Sequence, residues 1–516
     1  MRINPKSLLV FLLVVFELVF AKTSLYQNYH QKNDLVQISS LSKMQKSYAR
    51  IDLPESYITP EGNFKIHYSL AGSNAVDSIG YVHETGRIAE YAYSLLIDSL
   101  GFDSPPADNI DGNEIDIYIR DWGGTYYAQT YLESKNQATS RPNDYISYMV
   151  IDNDYMDSRY ETKGRDALQV TIAHEFFHMV QLGYNFTNDD LFFFEWSSVW
   201  FEDIAYPEIN DYLQYTDFFH YPGESIFSTN GNHHYSLGIF LRYFSINYGI
   251  EIIRNIWEEV KDMSAKESLK EVIAEKTGYS LPWHINKFYR TCYFSGSRYH
   301  PEYSLLEDAV YFPDFNYSSV DTFDNDDIQF ASNTESYGTS IHRIAFNKNI
   351  YTGIDRNTVY NDTLLGGYIK DYNFNKKSIE FSLSEDTFIG KSGPEDTLVI
   401  FMTNSVSEGK VDYNLILSER DRPRLASKIN SVYPNPINNA VGSDLNFTFQ
   451  TDLRNNRFSA SLYNILGQRV LKKIYAIQFE SGEYVLPINK ELASGVYILQ
   501  INSGSDRASR KITILK

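Results

Sequence analysis

The sequence predicts a multidomain protein in which an α+β domain is followed by all-β sandwich domains. Three observations carry this. The chain has 516 residues, and single hydrophobic cores stop growing near about 250–300 residues, beyond which chains split into domains. From about Arg165 to Val260 helical patterns dominate, several of them strongly apolar. Beyond about Pro301 short apolar–polar runs are separated by Asn, Asp, Gly and Ser, the pattern of a β sandwich.

Taken in order, residues 1–21 read as an export signal. Arg2 and Lys6 make a basic start, Ser7 to Phe20 is mostly apolar although Glu17 interrupts it, and Val19 and Ala21 precede a cut ahead of Lys22. The apolar run is shorter than the roughly 20 residues a membrane span needs, and no later stretch is long and apolar enough to cross, so no transmembrane span is expected in the mature chain. Residues 22–60 are expected to be a polar leader or pro-segment. The α+β domain is expected over 61–300, with strands at Phe64–Tyr68, Ile115–Ile119 and Tyr145–Ile151. Helices are expected at Ile79–Leu100 and Asp166–Leu182, the second closed by Gly183 in the left-handed position after a helix end. An accessory sandwich is expected over 301–422, with strands at Ser340–Phe346, Ser378–Leu383, Thr397–Met402 and Tyr413–Leu417. Arg420 to Pro423 makes a linker, and a last β unit occupies 431–516.

Composition excludes some roles. A net charge of -20 argues against nucleic-acid binding, which needs clustered Lys and Arg to neutralise phosphate. Cys292 is the sole cysteine, so internal disulfides and multi-cysteine metal sites are impossible. In its aromatic surroundings it reads as a small buried apolar residue.

The chemistry sits on the Asp166–Leu182 helix. Most of its residues are apolar, yet Thr171, His174, Glu175, His178 and Gln181 share one side at 3.6 residues per turn. His174 and His178, one turn apart, can aim both imidazoles at one ion, with Glu175 beside them within reach of a metal-bound water. Two histidines and a carboxylate buried without Lys or Arg call for a cation. The alternative is a buried polar stripe that only hydrogen-bonds internal groups. Zinc needs a third protein ligand, and Glu195 and Glu202 are both candidates, seven residues apart on one helix face; spacing does not choose between them.

The run Glu195-Trp196-Ser197-Ser198-Val199-Trp200-Phe201-Glu202 resembles the Glu-x-x-Ser-x-Trp-x-Glu pattern that follows HExxH in gluzincins, and about Glu61 to Cys292 is similar to secreted bacterial metallopeptidases of that clan. The resemblance implies one catalytic zinc held by His174, His178 and Glu195, with the second Glu packing behind. It implies peptide hydrolysis with Glu175 as general base. Tyr235-Ser236-Leu237-Gly238 resembles the segment whose tyrosine donates to the developing oxyanion, which makes Tyr235 the expected donor, His234 its competitor and His233 a surface neighbour. No Gly-Ala-Met-Glu-Asn strand precedes the helix, so an endopeptidase is expected and not an aminopeptidase. The acidic stretches Asp108–Asp116 and Asp152–Asp157 read as solvated turns, with calcium sites as the alternative.

The C-terminal unit resembles a type A sorting domain of the type IX secretion system. Tyr433-Pro434-Asn435-Pro436, Leu462 to Gln468, Leu492 to Ile498 and the basic closing strand Arg510 to Lys516 carry that likeness in order. It implies export across an outer membrane, to a secreted or surface-attached location, through contact with the secretion machinery. The whole sequence thus reads as a secreted zinc peptidase acting on a protein or peptide. A non-catalytic surface adhesion protein that retains the metal site is the alternative.

Overall fold

The structure is a computed structural model describing residues 50–515, apart from 109, 111, 325–326, 356–363, 373–376, 382–386, 395, 420–426, 439–443, 452–456, 478–480, 489–490 and 505. The expected export signal and the Arg420–Pro423 linker lie outside the described residues.

The first unit is a sheet backed by helices. Its strands β1 (Glu55–Ile58), β2 (Phe64–Tyr68), β3 (Ile115–Arg120), β4 (Ala128–Lys135) and β5 (Tyr145–Asp152) lie in the order β1-β2-β3-β5-β4. The inner three pair in parallel, while β1 and β4 run antiparallel at the two edges. Parallel strands buried on both faces read as continuous apolar runs, as Tyr145–Asp152 does. Helices α1 (Ile79–Tyr93), α2 (Gly164–Tyr184) and α3 (Leu191–Ala205) pack against this sheet and one another, followed by α4 (Asp217–His220), α5 (His233–Ser236), α6 (Gly238–Tyr248), α7 (Glu251–Val260), α8 (Ala265–Thr277) and α9 (Leu281–Cys292). The helix expected to reach Leu100 ends as α1 at Tyr93 and continues as a wider turn from Ser94 to Ser99.

Three expectations change here. Part of the segment assigned to a leader belongs to the fold: β1 pairs with β2, and Arg50 is held by Asp108, Asp116 and both oxygens of Glu133. The polar composition of 22–60 hid this, because an edge strand and a buried ion cluster need few apolar residues. Gly183 does not close its helix, which runs on to Tyr184 with Asn185 leaving in extended conformation. Its lack of a side chain serves packing instead, since a Cβ there would come within 2.8 Å of Pro106 Cδ. The first unit also continues beyond residue 300, because Ala309, Phe312 and Phe315 join its core.

The middle unit is a sandwich of β6 (Ser319–Phe323), β7 (Ile328–Thr334), β8 (Thr339–Phe346), β9 (Ile350–Asp355), β10 (Leu364–Tyr372), β11 (Lys377–Phe381), β12 (Thr387–Ser392), β13 (Asp396–Asn404) and β14 (Val411–Glu419). One sheet runs β11-β10-β13-β8-β6 and the other β12-β9-β14-β7. The inner faces enclose Ile344, Leu398, Ile400, Leu415 and Leu417. The outer face of the larger sheet gives Ile341, Ile369, Val399 and Phe401 to the helical core. Helix α9 lies on that face: Asn286 Nδ2 donates to Phe401 O and Thr403 Oγ1, both at 3.1 Å.

The last unit comprises β15 (Lys428–Tyr433), β16 (Ile437–Asn438), β17 (Leu445–Gln450), β18 (Arg457–Asn464), β19 (Arg469–Ala476), β20 (Ser481–Leu486), β21 (Gly495–Ser503) and β22 (Asp506–Leu515). They form sheets β15-β17-β20 and β16-β22-β21-β18-β19 around a core of its own. Gly467, at φ +75°, turns the β18–β19 hairpin, a conformation that favours glycine.

Candidate metal centre

Helix α2 is buried nearly all round, which fixes its rotation and sends His174 and His178 toward α3. Their rings stand 4.6 Å apart and almost perpendicular, at 85°. Glu195, on the second turn of α3, meets them: its Oε2 lies 3.2 Å from His174 Nε2 and 3.5 Å from His178 Nε2. Ligand atoms of the three residues all lie within 4.8 Å of one another. Glu202, two turns along the same face, reaches the far nitrogen of His174, with Oε1 2.5 Å from Nδ1.

The partners of the two Nδ1 atoms set the tautomers. Glu202 can only accept when ionised, and His178 Nδ1 faces the Gln181 carbonyl oxygen at 2.8 Å. Both Nδ1 atoms therefore carry their protons, leaving the Nε2 lone pairs directed at the space beside Glu195. Gln181 is held in turn by donating to Phe194 O at 3.0 Å.

These residues fit a tetrahedral zinc. Zinc bonds near about 2.0–2.1 Å at tetrahedral angles put ligand atoms about 3.3 Å apart, and the two Nε2–Oε2 separations, 3.2 and 3.5 Å, bracket that edge. Glu195 Oε2 is buried and takes no well-formed hydrogen bond. The electrostatics point the same way. Burial would lower the His174 imidazole, but Glu195 and Glu202 outweigh it and raise it well above its ordinary value. Burial would raise the Glu195 carboxyl, but His178 and His174 hold it well below the usual carboxylate range. Burial pushes Glu202 up to about 7 against the pull of His174. Two buried carboxylates around two imidazoles require a positive charge, and without an ion a proton on His174 is what can supply it.

Glu175 is buried, and Thr130 Oγ1 on β4 donates to its Oε2 at 2.7 Å. Tyr235 on α5 is buried over this group, its ring 6.4 Å from that of His174 and its hydroxyl near enough to feel the Glu195 charge. Burial raises that hydroxyl well above its ordinary value, with Glu195, Tyr215 and Glu175 adding to the effect. His234 is buried next to Tyr235, with Nδ1 lacking a hydrogen-bond partner. His233, expected at the surface, is 1% exposed; α5 is short and enclosed, so neighbouring residues on it turn inward together. Thr130, and Tyr215 with its ring 5.0 Å from that of Tyr235, had no signal in the sequence, since only folding brings β4 and the segment before α4 to the site. Gln181 was legible as an i+3 neighbour of His178.

The acidic stretches have protein partners. The Asp152 carboxylate accepts from Trp122 N, Asp154 N, Tyr155 N and the Tyr160 hydroxyl, and Arg50 pairs with Asp108 and Asp116.

Residues 431–515 match a family described as the secretion system C-terminal sorting domain. The protein is type IX secretion cargo. It is carried to the cell surface or released, and no helix among its described residues is long and apolar enough to cross a membrane. Residues 80–272, which carry the whole histidine–glutamate cluster and Tyr235, match a family of unknown function, DUF6055. No curated protein matches the chain. Among solved structures, β-glucuronidase from Parabacteroides merdae is 10% identical with a TM-score of 0.15, the match covering 34% of this chain and 28% of that one. The Endo-D glycoside hydrolase domain from Streptococcus pneumoniae R6 is 9% identical with a TM-score of 0.12, covering 36% and 33%. The BSP domain of a biofilm associated protein is 12% identical with a TM-score of 0.15, covering 36% and 51%. The match thus spans a third or less of the two glycosidase chains, and at these scores none of the likenesses bears on activity.

Proposed function

We propose that the protein is a secreted zinc peptidase, with His174, His178 and Glu195 as metal ligands and Glu175 as general base. The observation that carries this reading is that Glu195 Oε2 stands at a tetrahedral edge length from both Nε2 atoms, with ligand atoms of all three residues within 4.8 Å of one another. A zinc ion held there supplies Lewis acidity, lowering the pKa of a water and polarising the scissile carbonyl. Glu175 takes the proton of the attacking water and passes it to the departing amine. Tyr235, whose ring lies beside that of His174, donates to the oxyanion as it develops. Glu202 and Gln181 hold the imidazoles in register.

Cleavage within a chain fits better than trimming from an amino terminus. The edge strand β4 reads Ala-Gln-Thr-Tyr-Leu-Glu-Ser-Lys, and its one carboxylate, Glu133, is tied to Arg50 by two hydrogen bonds of 2.7 Å. No acid on that strand is left to bind a substrate ammonium group. The deciding experiment compares the native protein with Glu175→Gln for zinc content and casein cleavage. The variant is expected to keep one zinc per chain and to lose turnover; cleavage at the native rate overturns the assignment. Stoichiometric zinc with no cleavage of any protein by the native chain would favour a binding protein instead.

A further inference from the structure

Glu175 has a partner on the sheet that its own helix does not supply. Thr130 Oγ1 lies 2.7 Å from Glu175 Oε2 and 3.1 Å from the Glu175 carbonyl oxygen, across 45 residues of sequence. A hydroxyl has one proton to give. The carbonyl already serves the α2 hydrogen-bond ladder, and a carboxylate is the stronger acceptor, so the proton goes to Oε2. Both residues are more than nine-tenths buried, with exposures of 7% for Thr130 and 8% for Glu175. Thr130 itself has little freedom: it is β-branched, and β4 is fixed in register against β5 with Thr130 opposite Met149.

We propose that Thr130 is the positioning residue for Glu175, resting on the peptidase reading above. The hydroxyl holds Oε2 against the sheet, so that one oxygen of the carboxylate is committed to the scaffold and the other faces the reaction. A flexible glutamate becomes a base with a single orientation, and the edge strand becomes part of the catalytic scaffold. Position matters because proton transfer to a base demands a heavy-atom approach of about 2.6–3.2 Å, and a rotamer change in Glu175 would exceed that tolerance.

The test uses the full chain, with Thr130→Val as the near-isosteric removal of the donor and Thr130→Ser as its restoration. Thr130→Val is expected to lower kcat about tenfold with KM unchanged, the size of effect one hydrogen bond accounts for. Thr130→Ser is expected to bring the rate back, and zinc content should be the same in all three proteins. A readout independent of turnover is the Tm cycle formed by Thr130→Val, Glu175→Ala and the double variant. The Tm loss caused by Thr130→Val should shrink sharply once Glu175 is alanine. Native kcat in Thr130→Val, or an equal Tm loss in both backgrounds, overturns the proposal. Full activity in Glu175→Gln instead overturns the peptidase reading itself, and the Tm cycle then decides alone whether Thr130 holds Glu175.

Discussion

His174 donates its Nδ1 proton to Glu202 at 2.5 Å, and that bond directs its other nitrogen at Glu195. The two glutamates sit two turns apart on one helix and serve opposite sides of one imidazole. Partners of this kind fix ring orientation and raise ligand basicity. Glu202→Ala is therefore expected to weaken zinc binding about 10–100-fold while leaving the fold intact. Competition against a chelating indicator measures it, and an unchanged affinity would show that Glu202 does not support the ligand.

The segment that leads to Tyr235 is pinned by the middle sandwich. Thr339 N donates to Pro222 O at 2.7 Å, Glu335 N to Gly223 O at 3.2 Å, and Ser225 N to Glu335 Oε2 at 3.2 Å. Gly338 permits this approach, because a Cβ there would stand 2.4 Å from Gly223 O and 2.8 Å from Glu224 O, both backbone atoms. Gly338→Ala should cost about 1–3 kcal/mol and lower activity together with Tm. Thermal unfolding and casein cleavage check this. A native Tm would mean the two units do not meet as described.

The sandwich should also be acid-sensitive through His342. Its ring is fully buried between Ser319 Oγ at 2.9 Å and the Tyr413 hydroxyl at 2.5 Å, and burial pushes it down to about 4 from an ordinary 6.5. As pH falls from 6.5 the unfolded chain takes the proton first, so stability is present above 6.5 and lost progressively down to about 4. The loss amounts to about 3 kcal/mol. Denaturant titrations from pH 7 to pH 4 should show a shallower decline in His342→Gln than in the native chain.

Cys292, the sole cysteine, is buried, and burial pushes its thiol well above the ordinary value. The native protein should therefore resist a thiol reagent such as dithionitrobenzoate, and one thiol per chain should react after unfolding. Rapid reaction of the folded protein would contradict the packing of α9 against the sandwich.

Much of the donor set was legible because helix geometry is local. A four-residue interval puts His174 and His178 on one face wherever the helix lies, and an all-apolar remainder predicts that the helix is buried. The same reasoning failed at Gly183, where a residue suited to ending a helix is instead required by Pro106 packing from another part of the chain. It failed at Arg50 and β1 as well, where polar residues belong to the fold because their partners, Asp108, Asp116 and Glu133, lie far along the sequence.

The sequence alone determined which residue types meet on α2 and that the C-terminal unit is a sorting domain, since spacing and contiguous motifs carry both. Spacing left Glu195 and Glu202 open and the resemblance favoured Glu195, but only the tertiary structure shows which imidazole nitrogens each one meets. Seven residues are two helical turns, so both point the same way from α3, and it is the packing of α3 across α2 that brings Glu195 to the Nε2 atoms and Glu202 to Nδ1. Thr130 beneath Glu175 is decided in the same manner, by the register of an edge strand that no local pattern encodes.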